Sequence, residues 1–489
     1  MVEVLINGRT VSVAEGTTIL KAAEQAGIDI PHFCYHPAFP PDGSCRMCLV
    51  EIEGQPKLEL SCSTVVRPGL KVLTASPPVL AARRDILEMF LAEHPLDCPI
   101  CDKAGECLLQ DYYQAHSFLR GRFWEAREKR EKLLPLGRRL LLDRERCVLC
   151  TRCVRFLQLY TGTGELGVFE RAVRTEIGTF EDRPVDNDYS GNLVDLCPVG
   201  AITDADFRFR TRAWFLDRKP SLCPKCGRGC NISVDVVCGY PLPPRERRLY
   251  RIRPRENPDV NGYWVCDIGR YAYAADLRDN RRIQAAFVRN GEETPVPVDE
   301  ALARVAAALK AAVRGGRAER LAVVLNSSLT NEELSQAREL FVSRLGVKNV
   351  SFADPLPGQA DGRLLTAERC GNARGVADSG FPAADLNPKT WAEGSDAALI
   401  FGSHLLDAQR REEIIAGLAK VPFKALFAAH PTPLDGAVDV IVPVSLAAEK
   451  GGHLTNVDGR VQAFEPVWPA AGDGLAESVI LGRLREELG

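Results

Sequence analysis

Residues 147–153 read CVLCTRC. Three cysteines at two consecutive two-residue gaps wrap tightly, as the corners of a four-iron cluster require and a single tetrahedral ion does not. The fourth ligand of such a run is typically a cysteine followed by proline, and Cys197-Pro198 supplies that pair. Where two such runs share a chain, the fourth cysteine serves the other cluster. This chain has one run only, so Cys147, Cys150, Cys153 and Cys197 are expected to close a single [4Fe–4S] site, with residues 154–196 inserted between them.

Working upstream, residues 93–107 read EHPLDCPICDKAGEC, which spaces His94-x3-Cys98-x2-Cys101-x5-Cys107. A helix is expected to lead into this stretch. Ser76 offers an N-cap, Pro77 suits the first turn, and Val79, Ile86 and Phe90 share a face. That places His94 at the helix end, beside the cysteines. On spacing alone three readings stand: an iron–sulfur site with a histidine ligand, a zinc knuckle of three cysteines and one histidine, or a surface histidine with the fourth ligand elsewhere.

A third group is Cys34-x10-Cys45-x2-Cys48-x13-Cys62. Before it, VEVLINGRTVSV alternates around Asn7-Gly8, a hairpin signal, and a helix is expected from about Thr17 to a stop at Gly27. Hairpin, helix and cysteine loop is the order of a plant-type ferredoxin, although the first gap is longer than C-x4-C. Gly43 in that loop lets backbone N–H groups approach cluster sulfurs. The reading is a [2Fe–2S] site, with zinc as the alternative. Downstream, Cys223-x2-Cys226-x3-Cys230 is closed by Cys266 within WVCDIGRY. This is the entrance spacing of a molybdopterin oxidoreductase fold, where it holds a [4Fe–4S] cluster; a zinc ribbon is the alternative. Cys238 is assigned to the core as a small buried thiol, and the solitary Cys370 is read as inert.

The remaining composition is consistent with this picture. Seventeen cysteines in 489 residues, without a secretion signal at MVEVLINGRT, point to free thiols in a reducing compartment rather than a disulfide scaffold. The chain is 45% hydrophobic and 26% charged with a net charge of −3, so it reads as globular and shows no electrostatic footprint for nucleic acid. No apolar run approaches the ~18 residues of a membrane span.

Taken together, the [2Fe–2S] loop, the His94 site, CVLCTRCVRF, CPVGAI and CPKCGRGC follow an order that resembles the large iron–sulfur subunit of NADH:quinone oxidoreductase, respiratory complex I. The resemblance is dense over residues 1–270 and implies that His94 is the fourth ligand of a [4Fe–4S] cluster. About 220 residues follow Cys266, fewer than the family's molybdopterin-type region, though CGNARGVADSG and EKGGHLTNVDGRVQAF still resemble it. The expected architecture is multidomain α+β and α/β. A β-grasp [2Fe–2S] domain spans 1–75 and a helical histidine-ligated segment 76–117. A ferredoxin-like domain spans 140–212, and a shortened molybdopterin-oxidoreductase-like α/β domain spans 218–489, with its cluster site in 218–272. RGRFWEAREKREKLLPLGRR is read as a solvated helix or an interdomain strap. In the last domain LAVVLN, DAALIFG, KALFAA and VDVIVPV read as strands. Thr330 and Glu333 form a capping box for a helix ending near Gly346, and AQRREEIIAGLA reads as another helix, so a parallel sheet is expected.

TGTGELG (161–167) matches G-x-G-x-x-G, but no strand leads into it and it is discounted as a nucleotide loop. No other dinucleotide fingerprint or P-loop is present, so FMN and NADH are expected on a partner and no molybdopterin on this chain. The resemblance implies an electron conduit with one [2Fe–2S] and three [4Fe–4S] clusters and no catalytic residue of its own. Its expected partners are a flavoprotein NADH-binding subunit with its small [2Fe–2S] subunit, smaller iron–sulfur subunits leading to quinone, and a membrane arm, on the cytoplasmic side of the inner membrane. The alternative is the same wire in a soluble NAD-linked or electron-bifurcating hydrogenase or formate dehydrogenase.

Overall fold

The computed structural model describes residues 1–116, 121–181, 183–237, 249–279, 281–290, 292–314, 317–381, 390–402 and 408–489. Cys238 lies outside them. The chain divides into two units, Met1–Leu216 and Asp217–Gly489.

The first unit begins with the expected hairpin. Val2–Ile6 pairs antiparallel with Arg9–Val13, and both turn residues, Asn7 (φ 50) and Gly8 (φ 81), are left-handed, as the tight hairpin turn matching strand twist demands. Val2–Ile6 also runs parallel to Lys71–Leu73, which continues to Leu49–Ile52 and Glu59–Leu60 in one five-stranded sheet. The helix Ile19–Gln25 is capped by Thr18, whose hydroxyl accepts from Lys21 N–H at 3.4 Å, and Gly27 (φ 71) follows its end. Ile19, Leu20, Ala22 and Ala23 bury one face against Val4, Ile6 and Val72. Each large aliphatic buried there contributes roughly 1.5–3 kcal/mol.

The helix Pro77–Glu93 starts where expected, but the Ser76 hydroxyl makes no cap bond. Its buried stripe is Val79, Arg83 and Leu87, with Ile86 and Phe90 half-buried beside it. Pro95 ends it, because the residue before a proline is pushed out of helical geometry; His94 is accordingly extended (φ −71, ψ 128). The charged stretch is a strap and not a helix. From Gly121 to Lys132 it is irregular and exposed, with Arg122 bonded to Asp85 and Glu88, and Arg127 to the Ala92 carbonyl at 3.1 Å. Leu134–Pro135, Leu140–Leu142 and Ile202–Asp204 form a three-stranded sheet under the CVLCTRC loop. TGTGELG follows a helical turn and leads into the hairpin Leu166–Phe169 with Glu176–Thr179; Thr163 and Asn187 both bond Glu165.

In the second unit, Asp217–Leu222, Asn231–Val236 and Leu249–Pro254 form an antiparallel sheet. A seven-stranded sheet follows. Asn349–Phe352, Leu321–Leu325, Ala397–Phe401, Phe423–Ala428 and Val440–Pro443 are parallel neighbours in that order, and they are near-continuously apolar and buried, as strands covered on both faces must be. The edge departs from the expected all-parallel sheet, because Ala286–Asn290 runs antiparallel to Val440–Pro443 and pairs with Glu292–Val296. The Thr330/Glu333 capping box is present, and its helix Asn331–Ala337 widens into a π-helical turn before Gly346 (φ 69). Among the described residues no helix is long and apolar enough to cross a membrane.

Candidate metal centres

The cysteines of CVLCTRC sit on a loop bent by two left-handed non-glycine residues, Leu149 (φ 49) and Thr151 (φ 57). Such residues cost of order 1 kcal/mol each and persist where the surroundings impose them. The bend turns Cys147, Cys150 and Cys153 inward, and Cys197 meets them from the end of the helix Asn192–Leu196. All four line one small cavity of about 20 Å³, otherwise walled by Leu142, Val148, Ile177, Val199, Ala201 and Ile202. The Leu149 N–H points at the Cys147 sulfur at 3.4 Å. Burial pushes the Cys147 thiol up to about 12 and Cys150 up to about 11. Metal loading here must therefore displace protons.

A second small cavity, also about 20 Å³, is lined by His94, Cys98, Cys101 and Cys107 together with Asp97, Ala104, Gln110, Arg146 and Gly200. Burial, with Arg146 and Arg127 nearby, lowers His94 to about 4, so the imidazole is neutral and able to ligate at neutral pH. Burial pushes Cys107 up to about 11. Cys98 alone of these thiols is exposed. A wider cleft of about 900 Å³ backs onto His94, Cys98 and Cys107 and is bordered by the Gly121–Arg127 stretch. Exposed Leu96, Ile100, Phe123 and Trp124 occur along these same segments.

The two cavities are interleaved. Arg146 lines one and Cys147 the other; Val199 and Ala201 line one and Gly200 the other. A Cβ on Gly200 would stand 2.1 Å from the Cys101 sulfur. The Leu108 N–H donates to the Pro198 carbonyl at 3.0 Å, and Lys103 Nζ to the Val194 carbonyl at 3.1 Å. Arg146 is locked to Asp97 at 2.9 Å and Asp143 at 3.2 Å in the wall between them.

Cys34, Cys45, Cys48 and Cys62 are all buried at one end of the five-stranded sheet. They pair in hydrogen bonds: Cys45 lowers the pKa of Cys34, with Ser44 and the Gly43 backbone assisting, and Cys62 lowers that of Cys48, while Cys45 and Cys62 are themselves raised. The Phe33 N–H points at the Cys45 sulfur at 3.4 Å. Two arginines tie this loop to the CVLCTRC loop. Arg155 donates to the Cys34 carbonyl, to Pro40 O at 3.0 Å and to Cys150 O at 3.4 Å. Arg152 donates to Tyr35 O at 2.5 Å and Leu196 O at 3.4 Å.

In the second unit Cys223, Cys226, Cys230 and Cys266 are buried together, with the Cys223 N–H on the Cys230 carbonyl at 2.9 Å. The Gly269 N–H points at the Cys266 sulfur at 3.4 Å, and a Cβ on Gly269 would lie 2.9 Å from the Cys223 sulfur. Burial, then the neighbouring thiols, pushes Cys223 and Cys230 up. The last hairpin, Gly452–Thr455 with Val461–Phe464, is pinned to this loop: Val457 N–H to Gly227 O at 2.7 Å, Gln462 to Gly229 O at 2.9 Å, and Asn231 to Gln462 at 2.7 Å. Cys370 is buried apart from the four and hydrogen-bonded to Asp354, and burial raises its pKa. Among the described residues no three His, Cys, Asp or Glu side chains converge on one ion. The His94 and Cys147 donor sets ring cavities instead, a fit for iron–sulfur clusters, whose irons are spread over a volume.

Four family models match along the chain: a 2Fe-2S iron-sulfur cluster binding domain over 1–77, the NADH-ubiquinone oxidoreductase-G iron-sulfur binding region over 83–119, the ferredoxin-like domain of NADH-quinone oxidoreductase subunit 3 over 137–203, and the molybdopterin oxidoreductase Fe4S4 domain over 216–275. The NADH-quinone oxidoreductase subunit 3 of Thermus thermophilus is 38% identical over 70% of this chain and 46% of its own length. The mitochondrial 78 kDa subunit of Candida albicans NADH-ubiquinone oxidoreductase is 39% identical over 72% of this chain and 47% of its own. The chain belongs to the family of the large iron–sulfur subunit of NADH-quinone oxidoreductase. It spans about half the length of the curated relatives it matches. Among solved structures, a chain of an NAD+-reducing [NiFe]-hydrogenase is 33% identical over 43% of this chain and 90% of its own, at a TM-score of 0.40.

Several residues that shape the sites of this NADH-quinone oxidoreductase relative escaped the sequence reading. Gly200 and Gly269 carry no donor atoms, and Arg146, Arg152 and Arg155 read as ordinary charges flanking cysteines. The one available signal was the glycine in CPVGAI, where a close approach of backbone to something bulky was implied.

Proposed function

We propose that this chain is an electron conduit of NADH:quinone oxidoreductase. Cys34, Cys45, Cys48 and Cys62 would hold a [2Fe–2S] cluster. His94, Cys98, Cys101 and Cys107, then Cys147, Cys150, Cys153 and Cys197, then Cys223, Cys226, Cys230 and Cys266 would each hold a [4Fe–4S] cluster. When bound, each cluster takes up and passes on one electron. The chain's own residues fix where those groups stand and what charge surrounds them.

The observation that carries this reading is the interlocking of three sites in the first unit. Arg152 and Arg155 clamp the Cys34 loop to the Cys150 loop, and the stretch from Cys197 to Ile202 lines both remaining cavities. These contacts support the order Cys34 site, Cys147 site, His94 site, which differs from the order along the sequence. Exposed Cys98 and the apolar residues beside it support an exit at the His94 end. The fourth site, packed under the last hairpin, reads as a structural staple of the second unit, off the path. By analogy with the family, electrons enter from an NADH-oxidising flavoprotein and leave to a smaller iron–sulfur subunit near quinone. The assembly would be joined to a membrane arm on the cytoplasmic side. We further assign the β-grasp, histidine-ligated, ferredoxin-like and shortened molybdopterin-type domains to 1–75, 76–117, 140–212 and 218–489.

The test is purification of the native assembly through a tag on this chain, with mass spectrometry of its partners and electron paramagnetic resonance of its clusters. Membrane subunits are expected, with signals that include one [2Fe–2S] and three [4Fe–4S] clusters belonging to this chain, each lost when its own cysteine ligands are replaced. A hydrogenase or formate-oxidising pair without membrane subunits would overturn the assignment to this complex, and a colourless, iron-free protein would overturn the conduit itself.

A further inference from the structure

Arg152 lies between two cysteines of the CVLCTRC run and lines their cavity, and it is 7% exposed. Its two terminal nitrogens bond the carbonyls of Tyr35 and Leu196, and its Nε has no partner. Those carbonyls belong to the residue after Cys34 and the residue before Cys197. Among the described residues no carboxylate neutralises the guanidinium, because its hydrogen bonds go to carbonyls and nowhere else. A buried cation is retained only where an anion offsets its desolvation. Arg152 lines the cavity ringed by Cys147, Cys150, Cys153 and Cys197, and its bond to the Tyr35 carbonyl ties it one residue away from Cys34, so the same guanidinium adjoins both the Cys147 site and the Cys34 site.

We propose that Arg152 is the shared counter-ion of the clusters at the Cys34 and Cys147 sites, a positioning residue that holds both reduction potentials up together. It rests on the cluster assignment made above. A positive charge fixed near two redox centres favours the reduced, more negative form of each. Because one side chain faces both, its removal must move both midpoints in the same direction. A merely structural arginine would disturb the line shape of one signal or the yield of protein instead.

The experiment is a potentiometric titration followed by electron paramagnetic resonance on the assembled complex carrying Arg152→Met or Arg152→Lys. Arg152→Met is expected to lower the midpoints of the [2Fe–2S] signal and of the Cys147-site [4Fe–4S] signal together, while the His94-site signal moves least. Arg152→Lys keeps the charge and is expected to stay near the wild type. A shift in one centre only, no shift, or an equal shift in Lys and Met variants would overturn the proposal. Should Arg152→Met lose both clusters while Arg152→Lys keeps them, the counter-ion role is supported; loss from both variants would refute it. Absence of these signals in the wild type would refute the cluster assignment instead, so the two failures are told apart.

Discussion

Gly200→Ala offers a sharp test of the packed wall between the two interleaved cavities. The added Cβ would stand 2.1 Å from the Cys101 sulfur, 3.3 Å from Lys103 Cβ and 3.8 Å from Arg146 Cδ. Comfortable heavy-atom contact begins at about 3.5 Å, so sulfur and methyl must separate by roughly 1.4 Å. Neither side yields easily: Cys101 is in a short loop whose carbonyl is held by Arg212 at 2.8 Å, and Gly200 is fixed between Val199 and Ala201, which line the other cavity. Overpacking a tight site costs about 1–3 kcal/mol, and a thiolate displaced by more than an ångström loses bonding distance to its metal. The variant is expected to lose or strongly perturb the His94-site cluster while the CVLCTRC cluster, whose cavity Gly200 does not line, keeps its signal. Iron quantification and electron paramagnetic resonance of the purified complex read this directly. A His-site signal of wild-type intensity and line shape in Gly200→Ala would refute the packing argument.

Other outcomes follow from the same geometry. His94→Cys is expected to keep the second cluster and lower its midpoint potential, since a neutral donor is replaced by an anionic one; an unchanged spectrum and potential would exclude His94 as a ligand. Cys226→Ala should leave NADH-driven reduction of the three first-unit clusters intact while making residues 217–489 sensitive to limited proteolysis, because the loop it anchors holds Glu368, Val457 and Gln462; loss of all reduction would contradict an off-path role. The buried Lys450 bonds both Glu333 and Glu477 at 2.7 Å, and burial, opposed by Lys450, pushes Glu477 up from 4.5 to about 7. Its proton is held longer in the folded state, so this stabilising contribution is full below about pH 4.5 and is lost as pH rises through 7. Thermal unfolding of the second unit should therefore weaken between pH 5 and 8, and Glu477→Gln should flatten that slope; equal slopes would count against the buried trio.

Local signals in the sequence carried far. Asn7-Gly8 demands a turn that only left-handed residues supply, and Pro95 ends a helix just where His94 must turn inward. For the Cys147 and His94 groups the spacing brings together the same side chains that line one cavity each, because short loops leave few ways to arrange them. What stayed hidden depends on long-range packing. The contact of Gly200 with Cys101 spans about a hundred residues, and Arg152 reaches Tyr35 across 117. No periodicity marks such pairs. The antiparallel edge of the seven-stranded sheet was overlooked although Asn290-Gly291 repeats the hairpin dipeptide of residues 7–8. The charged strap was ambiguous because its arginines find partners on another helix rather than on its own turns.

The hairpin laid over the fourth cysteine loop has a consequence for synthesis. The bond from Asn231 to Gln462 joins residues 231 positions apart. At a translation rate of roughly 5–20 residues per second, about 10–50 s separate the emergence of that loop from the arrival of its cover. The Cys34 to Cys62 loop is complete within its own small sheet long before. A nascent chain therefore presents its fourth group of thiols uncovered to oxygen and stray metal while those residues are added. Of the four cysteine groups, this one waits longest for the segment that covers it.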